Sequence, residues 1–127
     1  MSEVVGRALV LAEGLSLWGG LDPATGLVID ARHPQRGVSL TGRIVVMPSG
    51  RGSSSSASVL AEAVRAKTAP AAVLLGEPDL ILSIGSAVGE ELYGIVVPVV
   101  VLPADALSSI VDGAELRIGS DGVVRTA

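Results

Sequence analysis

The chain has 127 residues, with 9 Lys and Arg against 13 Asp and Glu for a net charge of −4, no Cys, 16 Gly, and Trp18 and Tyr93 as its only aromatic residues. Apolar residues make up 49% and charged residues 17%, enough to build one folded domain spanning 1–127 and too apolar for disorder. Without Cys the chain forms no disulfide, thiolate nucleophile or Cys-ligated zinc or iron–sulfur site of its own, and its mildly acidic balance lacks the basic or stacking surface that nucleic acid requires.

With no Phe, the core falls to Val, Ile, Leu and Ala, a composition that favours strands with a little helix. The opening MSEVVGRALVL places Glu3 and Arg7 where a signal peptide has a basic end followed by unbroken apolar residues. The longest apolar run, 95–102, contains Pro98 and falls short of the roughly 20 residues of a membrane helix. The expectation is a soluble cytoplasmic protein without an anchor. No internal repeat is present.

In chain order, 6–12 reads as a strand, and 15–26 (LSLWGGLDPATG) carries the turn chemistry of Gly19-Gly20 and Asp22-Pro23. A short strand at 27–30 leads into 31–42 (ARHPQRGVSLTG), which reads as a surface connection. Residues 43–47 (RIVVM) are apolar on both faces, as a central strand would be. After Pro48 and 49–56, the stretch 57–67 is the best helix candidate. Val59, Leu60, Ala63 and Val64 form its apolar stripe, and Arg65 and Lys67 suit its carboxyl end. A strand is expected at 71–75, another short strand at 80–84, one or two helical turns at 86–93, and a second fully apolar strand at 98–102. A hairpin pairs 115–118 with 123–125 across Gly119-Ser120-Asp121-Gly122. Six to eight short strands with one firm helix and no regular βαβ alternation predict an α+β domain with a curved or barrel-like sheet.

One segment has the makings of a chemical site: 49–56, SGRGSSSS. By composition a four-serine run is linker material. Its setting points elsewhere, because it joins a buried strand to an amphipathic helix. Free N–H groups of the first helical turn and the positive end of the helix dipole attract anions. Gly50 and Gly52 allow close approach of a ligand, and Arg51 offers a planar fork for carboxylate or phosphate. One of Ser53, Ser54 and Ser55 is needed as the helix cap, which leaves the others for a ligand.

Established motifs fit poorly. The phosphate loop GxxxxGK[ST] lacks its lysine, GxGxxG meets Ser55 in its third slot, and there is no GxSxG elbow. His33, the only histidine, lies on a loop beside Pro34 and reads as a turn residue ahead of a general base or metal ligand. Glu90 and Glu91 point apart on a helix, Asp22 reads as a turn former, and Trp18 and Tyr93 as core or interface residues. No metal site is expected on this chain. A serine-rich helix start beside Arg51, with no general base at hand, suits one part of a shared active site.

Beyond composition, 15–26 (LSLWGGLDPATG), Asp30, His33-Pro34, Gly37, 48–56, Glu91-Leu92-Tyr93-Gly94 and Val97-Pro98-Val99-Val100, in that order across 6–102, resemble the small subunit of the aconitase X family. The resemblance implies a swivelling β/β/α domain similar to the mobile last domain of aconitase. It also implies a large partner subunit holding an iron or iron–sulfur centre, with none bound by this chain. In the family the small subunit supplies a serine that takes a proton from the substrate. The matching position is Ser53, with Gly50, Arg51 and Gly52 around the substrate carboxylate and Ser54 and Ser55 beside it. Trp18, Asp22 and His33 are candidates to support that loop.

Two dehydrations are known in the family, of cis-3-hydroxy-L-proline and of mevalonate 5-phosphate. Members of the second type tend to follow Gly-Ser with Thr-Val-Gly-Ser, whereas Gly52 here is followed by Ser53-Ser54-Ser55-Ser56-Ala57-Ser58, which resembles the first. Leu17 departs from the pattern, since an aromatic often precedes the Trp. The implied mechanism has a partner metal acting as Lewis acid on the leaving hydroxyl and Ser53, as alkoxide, taking the C2 proton. The alternatives are a mevalonate 5-phosphate dehydratase subunit and, from another class, a non-catalytic module that binds an anion or a partner protein.

Overall fold

In the computed structural model, which describes residues 3–126, the chain runs through β1 (Val4–Val10), a kinked turn α1 (Leu17–Gly20), β2 (Leu21–Asp22), β3 (Leu27–Val28), β4 (Ile44–Met47), α2 (Ser56–Ala66), β5 (Ala72–Leu75), α3 (Leu80–Tyr93), β6 (Val99–Val101), α4 (Ala104–Ser108), β7 (Glu115–Ile118) and β8 (Val124–Thr126). Six strands form one sheet in the order β6-β5-β4-β1-β7-β8, and β2 with β3 makes a small hairpin beside it. β1, β4, β5 and β6 are parallel neighbours, while β7 and β8 extend the sheet antiparallel from β1. This is an α+β fold whose sheet curls towards a half-barrel.

The central strands are apolar on both faces because both faces are covered. Alternation along the strand sends Leu9, Val45, Met47, Val73 and Leu75 to one side, against Leu60 and Ala63 of α2 and Leu82 of α3. Ala8, Ile44, Val46, Ala72 and Leu74 go to the other, with Leu107 of α4 and Leu116 and Ile118 of β7. Burying a side chain such as Leu60 or Leu74 completely contributes roughly 1.5–3 kcal/mol.

Two expectations need correction. The order β4-α2-β5-α3-β6 is a regular βαβαβ alternation, and 80–93 is a single 14-residue helix with no strand in it. Asp79 caps that helix by accepting from the Leu82 N–H at 3.0 Å, and Gly94, at φ +69°, ends it. Its buried face is Leu82, Gly85 and Gly89, so two of the three inward positions are glycines that add nothing to an apolar periodicity. The apolar side chains of LILSI stand partly outside the core, where their closeness in sequence imitates a strand.

Smaller differences follow from position. β6 is an edge strand and only half-buried. The connection 31–42 is not purely superficial, since His33 and Leu40 are buried and Ser39 bridges to Leu27. Trp18 and Tyr93 are 59% and 40% exposed, which removes both from the core. No helix among the described residues is long and apolar enough to cross a membrane.

Gly85 marks the closest approach of α3 to α2. A Cβ there would stand 2.8 Å from the Ala57 carbonyl oxygen, whereas one at Gly89 would meet only Val64 side-chain carbons at 3.0 Å or more. Gly85→Ala is therefore expected to destabilise the fold by about 1–3 kcal/mol despite the better helix former, and Gly89→Ala by less. Chemical denaturation of the two variants measures the difference; equal stabilities would contradict this packing.

Candidate active site

Parallel strands point their carboxyl ends one way, and the loops leaving β1, β4 and β5 meet there. Gly14 lies against the Ser49 carbonyl and the Arg51 side chain, and Gly52, at φ +95°, lies against Ser16. Gly50 lies against Asp79, whose carboxylate oxygen occupies the space a Cβ at position 50 would fill. Between these segments is a cavity of about 90 Å³ lined by Gly50, Arg51, Gly52, Ser53, Ser56 and Asp79 over a floor of Leu15, Leu17, Ile81 and Leu82. The sequence-derived residues 50–53 are thus brought together.

The serines divide their work. The Oγ of Ser53 accepts from the Ser55 N–H at 3.1 Å, and the Ser53 carbonyl accepts from the Ser56 N–H at 3.0 Å, starting a tight turn that becomes α2. Ser55 precedes the helix but makes no side-chain capping bond, so the local cap is the Ser53 hydroxyl. Ser54 and Ser55 are exposed, and neither lines the cavity. Ser56 is buried, and its Oγ accepts from the Trp18 N–H at 3.2 Å, which fastens the 15–21 segment to the start of the helix.

Arg51 is held loosely. Its guanidinium pairs with Glu13 at 3.5 Å, with the two side chains 58% and 41% exposed. Such a pair contributes about 0–1 kcal/mol, little enough to give way to a ligand. Behind Glu13 stands His33. Its Nδ1 accepts from the Gln35 N–H at 3.1 Å and its Nε2 lies 3.2 Å from the Glu13 carbonyl, an arrangement satisfied by the neutral Nε2–H tautomer. The Gln35 amide also bonds to Val10 and Ala12 of the same loop. His33 therefore supports the site through Glu13. Asp22 does not reach it, because its carboxylate is engaged by Ala24 and Thr25 in the 22–26 turn. Trp18 stands at the rim, joined to the site through its backbone.

Glu13, Ser16, Gln35 and Asp79 were not indicated by the sequence pattern. They reach the site from three loops, Glu13 and Ser16 after β1, Gln35 before β4 and Asp79 after β5, and only the topology brings those loops together. A larger cavity of about 450 Å³, on the α4 side of the same loops, is lined mainly by Val10, Met47, Leu107 and other apolar groups. Ser49, Glu77 and Ser108 are its polar members, and it contains no cation. The cation that could bind a small acid, Arg51, lies with Ser53 in the smaller cavity.

A family model described as the aconitase X swivel domain matches residues 1–126. The chain belongs to that family. The swivel domain is 48% identical over 97 residues to a cis-3-hydroxy-L-proline dehydratase of Pseudomonas aeruginosa, covering 76% of this chain and 17% of that protein. It is 34% identical over 117 residues to a phosphomevalonate dehydratase small subunit of Methanothermobacter thermautotrophicus, covering 91% of this chain and 85% of that subunit. The crystal structure of Thermococcus kodakaraensis aconitase X in its holo-form superposes with a TM-score of 0.87 at 31% identity, over 99% of this chain and 91% of that one. The two relatives named from Pseudomonas aeruginosa and Methanothermobacter thermautotrophicus are dehydratases. The chain spans 17% and 15% of the length of the two hydroxyproline dehydratases it matches.

An iron or iron–sulfur centre does not fit the residues of this swivel domain. The chain has no Cys, and among the described residues no three His, Asp or Glu side chains come together as a metal-ligand set.

The wedge of Gly52 against Ser16 gives a direct check on the loop. Gly52→Ala adds a side chain both at positive φ and into the Ser16 hydroxyl, and is expected to destabilise by about 1–3 kcal/mol. Thermal melting of the variant tests this, and unchanged stability would show that the loop is not held against 16.

Proposed function

We propose that this swivel domain is the small subunit of a two-subunit hydro-lyase that dehydrates cis-3-hydroxy-L-proline, with Ser53 taking the C2 proton. The observation that carries the proposal is the Ser53 hydroxyl, half-buried at the cavity and accepting the Ser55 N–H at the start of α2. A serine hydroxyl is far too weak an acid to serve as a base unless its alkoxide is stabilised. A preorganised amide donor, the helix amino terminus and the Arg51 guanidinium supply that stabilisation where negative charge develops. Arg51 also binds the substrate carboxylate, with Gly50 and Gly52 leaving room for it. As the C2–H bond breaks, its proton passes to Ser53. The electron pair forms the C2–C3 double bond, and the hydroxyl on C3 departs as hydroxide, which takes up the proton from Ser53 to leave as water and restores the alkoxide.

The 48% identity to a hydroxyproline dehydratase supports this choice of substrate, as does the serine run that continues Gly52-Ser53. The second reading, a phosphomevalonate dehydratase small subunit, is favoured by length, since this chain covers 85% of one such subunit. A large subunit, holding whatever iron or iron–sulfur centre the enzyme uses, is part of both proposals. Its need is supported by an apolar stripe at four-residue spacing along α3: Leu80, Ile84, Val88 and Leu92 are 73%, 44%, 37% and 64% exposed, with exposed Trp18 also at the site rim. So much exposed aliphatic surface on one helix marks a face that another protein covers.

In the complex assembled from both subunits, Ser53→Ala is expected to lower turnover of cis-3-hydroxy-L-proline about 10²–10⁴-fold. Wild-type turnover of mevalonate 5-phosphate instead would establish the second reading, and unchanged turnover in the variant would remove Ser53 from the chemistry. Leu80→Glu combined with Ile84→Glu is expected to weaken assembly by more than about tenfold, as loss of a central apolar anchor does. Sedimentation of the mixed subunits measures it; undiminished assembly would place the interface elsewhere.

A further inference from the structure

One charged group in the cavity has no part in the proton transfer. Asp79 caps α3 with Oδ1, which accepts from the Leu82 N–H at 3.0 Å. Its second oxygen, Oδ2, faces Gly50, in the space a side chain at that position would fill. Among the described residues Oδ2 has no hydrogen-bond or ion-pair partner. Arg51 lines the same cavity, yet its partner is Glu13. Among the described residues, Asp79 is the only acidic one lining this space.

One cavity is therefore lined by a cationic and an anionic residue that are not paired with each other. A ligand with a carboxylate at one end and a phosphate at the other would meet Asp79 with like charge. A ligand carrying both signs satisfies both groups. In an α-amino acid the carbon that bears the ammonium also bears the carboxylate, so fixing the two ends fixes that carbon between them. For cis-3-hydroxy-L-proline that carbon is C2, the one whose proton leaves.

Resting on the hydroxyproline reading above, we propose that Asp79 binds the ring ammonium of the substrate and makes this site choose an amino acid over a phosphorylated acid. Asp79→Asn removes the charge and keeps an acceptor for the Leu82 N–H, and Asp79→Ser does the same with another good capping residue. The test compares two inhibitors of the assembled complex: L-proline, and tetrahydrofuran-2-carboxylate, which replaces the ring ammonium with an ether oxygen. Losing a charge-assisted hydrogen bond is expected to weaken L-proline about tenfold to hundredfold in both variants. Tetrahydrofuran-2-carboxylate should inhibit wild type and variants nearly alike. A merely structural role for Asp79 would weaken both inhibitors together, and that result, or an unchanged preference for L-proline, overturns the proposal. Should one variant fail to assemble, the other carries the comparison; failure of both makes Asp79 a structural cap and also overturns it. A wild-type complex that turns over mevalonate 5-phosphate and not cis-3-hydroxy-L-proline refutes the underlying function instead, a result read before any variant is made.

Discussion

The close approach of three loops at the carboxyl end of the parallel strands is the constraint on which the site depends. Each contact is made at a glycine: Gly14 against the loop after β4, Gly52 against the loop after β1, and Gly50 against Asp79 after β5. A side chain at any of them would push two segments apart. Holding them together also requires that β1, β4 and β5 be adjacent and parallel, because only then do all three loops leave the sheet on the same side. The βαβ crossovers through α2 and α3 enforce that arrangement, and the closeness of α2 to α3 rests in turn on Gly85. Small residues thus set the spacing at both levels of the structure.

The long connection between β3 and β4 acts as a brace. His33 and Gln35 return to the end of β1 and take up the backbone groups of Val10, Ala12 and Glu13. These bonds finish the hydrogen bonding of a strand end that has left the sheet, where unpaired groups would otherwise destabilise the fold. They also fix the origin of the Glu13 side chain that meets Arg51. A histidine that sequence alone leaves between turn residue and base is, in the folded chain, two bonds removed from the cavity and positions a neighbour of its cation.

What was legible in the sequence depended on how far apart the determining residues lie. The strand at 43–47 and the helix from 57 announce themselves through local apolar patterns, and the glycine and serine chemistry at 50–53 sits between them, so that part of the site could be read directly. The full extent of the second helix was hidden because its inward positions, Gly85 and Gly89, are too small to register as an apolar stripe. Reading its first part, 80–84, as a strand and only 86–93 as helical turns broke the βαβ alternation and, with it, removed Asp79 from the site. Asp79 becomes recognisable only once 80–93 is known to be helical, because its role as cap and its place beside Gly50 follow together from the position of that helix. Ser16 and Glu13 were invisible for a similar reason: residues of the loop after β1 carry no periodicity that relates it to the loops after β4 and β5.

As the proposed base, Ser53 makes opposing demands on its surroundings. Stabilising an alkoxide with an amide, a helix terminus and a guanidinium works best in a dry site, where each dipole is least screened. Yet Arg51 and Gly52 lie exposed on this domain, and its cavity of about 90 Å³ is about three water molecules in volume, too small to enclose a five-membered ring with its substituents. Under the proposed function, the remaining enclosure comes from a second surface. Trp18 and Leu80, next in sequence to the lining residues Leu17 and Asp79, are exposed apolar groups, suited to excluding water once covered and unfavourable when left bare. A domain that moves against a large partner reconciles entry with dryness: apart, the loops admit a charged ligand; together, the same loops face it without competing solvent. In such an arrangement the weak Glu13–Arg51 pair is an asset, since it keeps the cation oriented in the open state and yields it to a carboxylate when the site closes.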